Sequence, residues 1–202
     1  MVAITLPDGS VREFDKPVSG AELAASIGPG LAKAAIAIVV DSEPRDLAHS
    51  IASDARVEIV TAKHEAALEL LRHDAAHVMA EAVQELFPGT QVTFGPAIKD
   101  GFYYDFHREQ PFTPGDLEAI EARMREIVGR DEAITREIWR RDKAVEFFRD
   151  KGESFKAEHI ETLAADAEIS IYRQGDWLDL CTGPHLPSTG RLGKGFKLMK
   201  LA

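Results

Sequence analysis

The stretch from His64 to Phe87 limits most what this chain can fold into. Leu68, Leu71, Ala75, Val78, Met79, Ala82 and Leu86 recur there at helical spacing, and Pro88-Gly89 ends the run. One long helix with an apolar stripe is therefore expected, and such a stripe has to be buried against other elements. The same helix carries His73 and His77, four residues apart and so on one face. At about 100° per residue that face lies almost opposite the stripe. Two readings stay open: a pair of solvated surface histidines, or two groups aimed at a ligand or a metal ion.

The residues before and after this helix divide the chain. Val2, Ile4 and Leu6 alternate with smaller or polar residues, Pro7-Asp8-Gly9 forms a turn, and Val11 and Phe14 lie on a returning strand. Ser19 and Glu22 make a capping box for a short helix that stops at Gly28-Pro29-Gly30. Ala35 to Val40 and Arg56 to Thr61 read as strands. This order suggests a small β-grasp domain over residues 1–62. The second domain, 63–202, continues after the long helix with a hairpin over Val92 to Phe106 that turns at Asp100-Gly101. Thr113-Pro114-Gly115-Asp116 then caps a helix carrying Leu117, Ile120, Met124 and Ile127. A strand from Ile134 to Trp139, a helix capped by Asp142, and strands at Ile169–Tyr172 and Trp177–Cys181 complete it. The fold class is α+β, with helices expected on one face of a mainly antiparallel sheet.

Hydrophobic residues make up 45% and charged residues 29%, the balance of a globular domain rather than a disordered one. The single cysteine, Cys181, excludes an intramolecular disulfide. No apolar run is long enough to span a bilayer and the first residues do not read as a signal peptide, so a cytoplasmic protein with no membrane partner is expected. The net charge of −10 opposes a broad phosphate-binding field. Residues 1–62 hold five Lys or Arg against nine Asp or Glu, and the remainder nineteen against twenty-five. Two local exceptions are the tail Arg191, Lys194, Lys197, Lys200 and the group Arg136, Arg140, Arg141, Lys143.

Chemistry concentrates at a second place, Asp179-Leu180-Cys181-Thr182-Gly183-Pro184-His185. Strand alternation puts Trp177, Asp179 and Cys181 on one face, and Gly183-Pro184 bends the chain so that His185 can return towards Cys181. His73, His77, Cys181 and His185 then form a Cys-His₃ set, which could hold Zn²⁺ tetrahedrally or act as a polar catalytic cluster.

RHDAAH (72–77) and DLCTGPH (179–185) resemble the HxxxH and CxGPH motifs of the threonyl-tRNA synthetase editing domain, which is shared in outline with alanyl-tRNA synthetases. ITLPDGS (4–10) and SIGPGLAKA (26–34) resemble the TGS domain, a ubiquitin-like β-grasp module. GFYYDF (101–106) and GKGFKLMK (193–200) are also similar to the threonyl enzyme. The resemblance covers essentially the whole chain and implies an N-terminal fragment, TGS plus editing domain, of a bacterial-type threonyl-tRNA synthetase. The class II catalytic motifs and the anticodon-binding domain are missing, so this chain is not expected to charge tRNA. ATP, Mg²⁺ and Zn²⁺ of the full-length synthetase would bind that missing part.

The activity implied is hydrolysis of mischarged Ser-tRNA(Thr). Its partners would be the 3′ acceptor end of tRNA(Thr) carrying serine, and the rest of the synthetase in cis. One methyl group discriminates threonine from serine by only ~10–200-fold, which is why a second, hydrolytic sieve is useful. The residues implied are His73 and His77 for positioning and deprotonating water, Lys156 for developing negative charge, and Asp179 for the substrate ammonium. Cys181 and His185 complete the pocket and Tyr104 forms its wall. No cofactor is firmly expected. Zn²⁺ at the Cys-His₃ set remains open, with a metal-free site favoured. Two rivals are an alanyl-type editing module and a non-catalytic RNA- or protein-docking fragment with a structural zinc site.

Overall fold

The computed structural model describes residues 1–201; Ala202, the last residue of the expected second domain, lies outside them. The chain divides into two compact units, Met1–Leu71 with Gly183–Pro187, and Arg72–Thr182 with Ser188 onward.

In the first unit the elements run β1 (Val2–Thr5), β2 (Val11–Phe14), β3 (Val18–Ser19), α1 (Gly20–Ile27), α2 (Pro29–Ala34), β4 (Ala35–Val40), β5 (Glu43–Asp46), β6 (Ser50–Ile51) and β7 (Ala55–Thr61). The main sheet has the order β2-β1-β7-β4-β5, with β1 and β7 parallel and the other neighbours antiparallel. Val2 and Ile4 of β1, Leu23 and Ala24 of α1, Ile38 of β4 and Val57 of β7 share one core, the β-grasp arrangement expected. The Ser19–Glu22 capping box is present. At Gly20 an added Cβ would lie 2.6 Å from Ile38 Cγ2 and 2.9 Å from the Leu47 carbonyl oxygen, so a bare backbone lets α1 start this close to the sheet. Besides the short pair of β3 with β6, two elements escaped the sequence reading. Gly28 ends α1, yet Pro29 opens α2 at once, because proline at the first helical position forfeits no hydrogen bond. Strand β5 contains Pro44, which is tolerated because β5 is the edge strand.

The second unit contains α3 (Ala67–Leu86) from Arg72 onward. It continues with β8 (Gln91–Val92), β9 (Ala97–Ile98), β10 (Gly101–Phe102), β11 (Phe106–His107), α4 (Pro114–Arg130), β12 (Ile134–Trp139), α5 (Arg141–Asp150), α6 (Ser154–Thr162), β13 (Ile169–Gln174) and β14 (Trp177–Leu180). Helix α3 starts later than expected, since His64 sits in a turn and its Nδ1 accepts the Ala66 N–H. The expected stripe needs correcting too. Leu68 is exposed, whereas every residue from Asp74 to Val83 is buried. The helix is therefore enclosed all round, and its polar face has to find partners inside the protein.

Those partners lie on the antiparallel sheet β12-β13-β14. Ile169, Ile171 and Leu178 point to a core built with Phe148 of α5 and Ile160 of α6. Gln174 points the other way, to Glu81 of α3. Both faces of β13 are thus covered, rather than the single face expected, which explains its near-continuous burial. Helix α4 has the expected Thr113–Asp116 cap and joins α3 through Ile120, Met124 and Ile127. The long hairpin carries two short ladders, β8 with β11 and β9 with β10, and turns at Lys99-Asp100, one residue before the expected place. Asp142 lies within the first turn of α5 instead of preceding it; Arg140 is the cap residue.

Glu81 makes stability depend on pH. Burial raises its pKa from 4.5 to about 7, against the lowering effect of the Gln174 hydrogen bond. Between those values the folded state holds a proton that the unfolded state has lost. Stability is therefore expected to fall as pH rises from 4.5 to about 7, by up to about 3 kcal/mol, and then to level off. Urea unfolding across this range should show that slope, and Glu81→Gln should flatten it.

Candidate functional site

Helix α3 and strand β14 meet with nearly matched repeats. Four helical residues advance about 6 Å and two strand residues about 6.7 Å. His73 and His77 can therefore face Cys181 and Asp179 in step. His73 Nε2 lies 3.2 Å from Cys181 Sγ, and the two imidazole centroids are 4.8 Å apart. His77 Nδ1 is 3.6 Å from Asp179 Oδ2, too long for a hydrogen bond but close enough for charge pairing once His77 is protonated. Cys181 extends the β14 ladder, its N–H donating to the Ser170 carbonyl.

Asp179 is the centre of a second group. Its Oδ2 accepts from the Tyr104 hydroxyl at 2.7 Å and its Oδ1 from Lys156 Nζ; Nζ also donates to the Tyr104 oxygen at 3.1 Å. Lys156 and Asp179 are each 1% exposed, so this is a desolvated ion pair held by a third polar group. Burial, and then the Asp179 charge, push the Tyr104 phenol well above its ordinary 10, which keeps it a hydrogen-bond donor. Gly95 makes room for this ring: a Cβ there would collide with Tyr104 Cγ at 2.6 Å.

Six of the seven residues expected from sequence lie in the second unit: His73, His77, Tyr104, Lys156, Asp179 and Cys181. The ligand atoms of His73, His77 and Cys181 lie within 4.8 Å of one another, so these side chains could hold a metal ion. His185 falls in Gly183–Pro187, which groups with the first unit; it is buried and its N–H donates to Asp46 Oδ1 at 2.8 Å. Lys156, which in SFK reads as a surface residue, is buried while its neighbour Phe155 is exposed, because α6 turns the lysine inward.

The sequence reading missed Glu81 and Gln84. They continue the His73–His77 stripe one and two turns on, and reach Gln174 and Trp177. A polar residue at each turn of an otherwise apolar helix was the signal. The group Arg136, Arg140, Arg141 and Lys143 serves the fold. Arg136 pairs with Glu168 and Arg140 with Asp142, Arg141 donates to carbonyls at the end of α6, and Lys143 lies over the Trp139 ring. Among the described residues no helix is long and apolar enough to cross a membrane.

Removing the Lys156 cation should strand a buried carboxylate. Lys156→Met is expected to cost about 3–5 kcal/mol in urea unfolding at pH 7, and adding Asp179→Asn should recover much of it. Equal destabilisation in the double variant would contradict the pairing.

Comparison with known proteins agrees with this architecture. Residues 2–61 match the TGS domain, and residues 169–201 match the threonyl and alanyl tRNA synthetase second additional domain. The threonine–tRNA ligases of Rhodospirillum rubrum, Paramagnetospirillum magneticum and Gluconobacter oxydans are 66%, 67% and 64% identical to it over 100% of this chain, which spans 31%, 32% and 31% of their lengths. Along its whole length the chain is similar to just under a third of a threonine–tRNA ligase, and it carries a TGS domain followed by the second additional domain that threonyl and alanyl synthetases share.

Proposed function

We propose that this chain hydrolyses the ester of mischarged Ser-tRNA(Thr), accepting the tRNA 3′ end and working with the rest of a synthetase in cis in the cytoplasm. The observation that carries the reading is the convergence of two imidazoles, a thiol and a buried Lys–Asp–Tyr group in one unit of a chain similar to threonine–tRNA ligases. The functional division is 1–62 for the TGS part and 63–202 for the editing part.

Water attacks the seryl carbonyl carbon, the carbonyl oxygen takes negative charge, and the ribose oxygen leaves with a proton. His77 accepts the proton from water, and Asp179 at 3.6 Å stabilises the imidazolium that forms. His73 orients the water or the terminal ribose. Lys156 spends two N–H donors on Asp179 and Tyr104, leaving the third for the oxyanion. Both Asp179 oxygens already accept a hydrogen bond, so a substrate ammonium would use a remaining lone pair.

His73, His77 and Cys181 are a donor set that suits Zn²⁺, which would supply Lewis acidity there; three protein ligands leave a coordination position open, and His185 as a fourth would close it. We favour hydrolysis by the side chains alone. A second reading follows from the 3.2 Å contact of His73 with Cys181, the spacing of a base and its nucleophile. In that case the thiol forms a seryl thioester that water then cleaves.

Ser-tRNA(Thr) and Thr-tRNA(Thr) should be followed in parallel with chelator-treated protein. Selective loss of serine is expected, and His73→Ala and His77→Ala should each slow it by about 10²-fold or more. No loss of serine would remove the reading. Activity that disappears with chelation and returns with Zn²⁺ would reinstate the metal, and repeating that return in His185→Ala reads whether His185 is a ligand. A near-normal rate in Cys181→Ser would exclude the thioester.

A further inference from the structure

Glu153 plays no part in the chemistry above, yet it is 2% exposed and its carboxylate ties together the elements that carry it. Oε1 accepts from Gln84 Nε2 on α3, and Oε2 accepts from the Val92 N–H at 2.9 Å on the first strand of the hairpin. Its own backbone precedes α6 and its carbonyl accepts the Ala157 N–H four residues on, which puts Glu153 and Lys156 on the same turn. Gln84 in turn accepts from the Trp177 indole N–H at 2.8 Å, and the Trp177 ring stands edge-on to His77 with centroids 5.9 Å apart. Val92 pairs with Phe106, two residues from Tyr104, across the hairpin.

One carboxylate therefore fixes α6, which delivers Lys156; the hairpin, which delivers Tyr104; and α3, which delivers His77. All three converge on Asp179. A neutral side chain of equal size cannot replace it. The carboxylate accepts from two donors on its two oxygens, whereas an amide would turn an N–H towards one of them. Burial raises the Glu153 pKa, while the Gln84 and Val92 hydrogen bonds and the Lys151 and Lys156 charges oppose the rise. It also lines a cavity of about 530 Å³ with Gln84, Lys151 and Trp177.

We propose that Glu153 is the positioning residue that holds Lys156 and Tyr104 in register with Asp179. The hydrolytic role of that group rests on the function proposed above, but the positioning is testable without it. A buried, paired ammonium exchanges its protons slowly, so the whole chain labelled with ¹⁵N-lysine should give a protected Lys156 Nζ–H signal, assigned by its loss in Lys156→Arg. In Glu153→Gln that signal should vanish or exchange at least 10-fold faster, while circular dichroism at a temperature below unfolding stays native. The exchange Gln84→Glu with Glu153→Gln keeps an acceptor opposite each N–H donor of Trp177 and Val92 and a donor between the two side chains, at the loss of the Gln84 bond to the Thr90 carbonyl, and should return the signal. An unchanged Lys156 signal in folded Glu153→Gln would overturn the proposal. Should that single variant not fold, the proposal stands on the exchanged pair: a folded double variant without the signal overturns it equally. Where Ser-tRNA(Thr) is hydrolysed, kcat in Glu153→Gln should fall at least 10-fold with KM within about 2-fold. Adding Lys156→Ala should then lower kcat no further than Lys156→Ala does alone, and multiplied losses would mean a merely structural role. Absence of hydrolysis in the unaltered chain would remove the proposed function and leave the positioning result intact.

Discussion

The second unit depends on the fit between one polar stripe and one strand face. A helix enclosed from Asp74 to Val83 cannot leave His77 and Glu81 without partners, because a buried polar group that loses its hydrogen bonds to water costs on the order of 1–3 kcal/mol. The partners come from Cys181, Asp179, Trp177 and Gln174, alternate residues on one face of β13 and β14. The near-equality of the two repeats lets a helix exchange polar contacts with the sheet over three successive levels, Cys181, Asp179 and the paired Trp177 and Gln174. Matching the stripe fixes the height of α3 over the sheet. A slip of one strand residue would put Leu178 and Leu180 opposite the histidines and return Asp179 to the apolar core.

This fit explains why the site was partly legible. Motif spacing identified the start of the stripe, His73 and His77, and strand alternation correctly put Trp177, Asp179 and Cys181 on one face. The rest of the stripe left only a faint signal, since Glu81 and Gln84 on a helix read as ordinary exposed residues unless the helix is known to be enclosed. Lys156 illustrates the same limit from the other side. Local composition favours Phe155 as the buried neighbour, and only the Asp179 carboxylate, remote in sequence, makes the opposite choice favourable. In the first unit hairpins and caps were legible because they are settled within a few residues: Asp8 holds Ser10 and Glu22 holds Ser19. Edge strand β5 was not, because Glu43 to Asp46 carries no apolar alternation and is a strand only through its ladder to β4.

Charge is distributed by the same logic. With a net charge of −10 the chain has no surplus of cations to spend on phosphates. Arg136, Arg140, Arg141 and Lys143 are engaged within the fold, and Arg123 and Arg130 join α4 to Glu85 of α3. Arg130 holds Glu85 at a pKa of about 2, while Glu81, one turn away and more deeply buried, is pushed up to about 7. Two glutamates four residues apart thus differ in charge near neutrality because Glu85 has both Arg123 and Arg130 near the surface, whereas Glu81 shares only Arg130 and lies deep enough for burial to prevail.

The buried group around Asp179 is expensive by comparison, and its cost is informative. Burying an ion pair seldom improves on apolar residues of equal volume, so stability alone does not account for Lys156 and Asp179 being enclosed together. In the hydrolysis proposed above, enclosure would add a strong and directed field, since a held cation acts on developing negative charge without first reorienting water. That advantage lasts only while the geometry holds, and an ammonium on four flexible methylenes supplies none of its own rigidity. Rigidity has to come from the neighbours. Tyr104 restrains Nζ from one side and the start of α6 restrains its stem. On the function proposed above, the polar residues outside the reacting centre are a consequence of using a lysine within it.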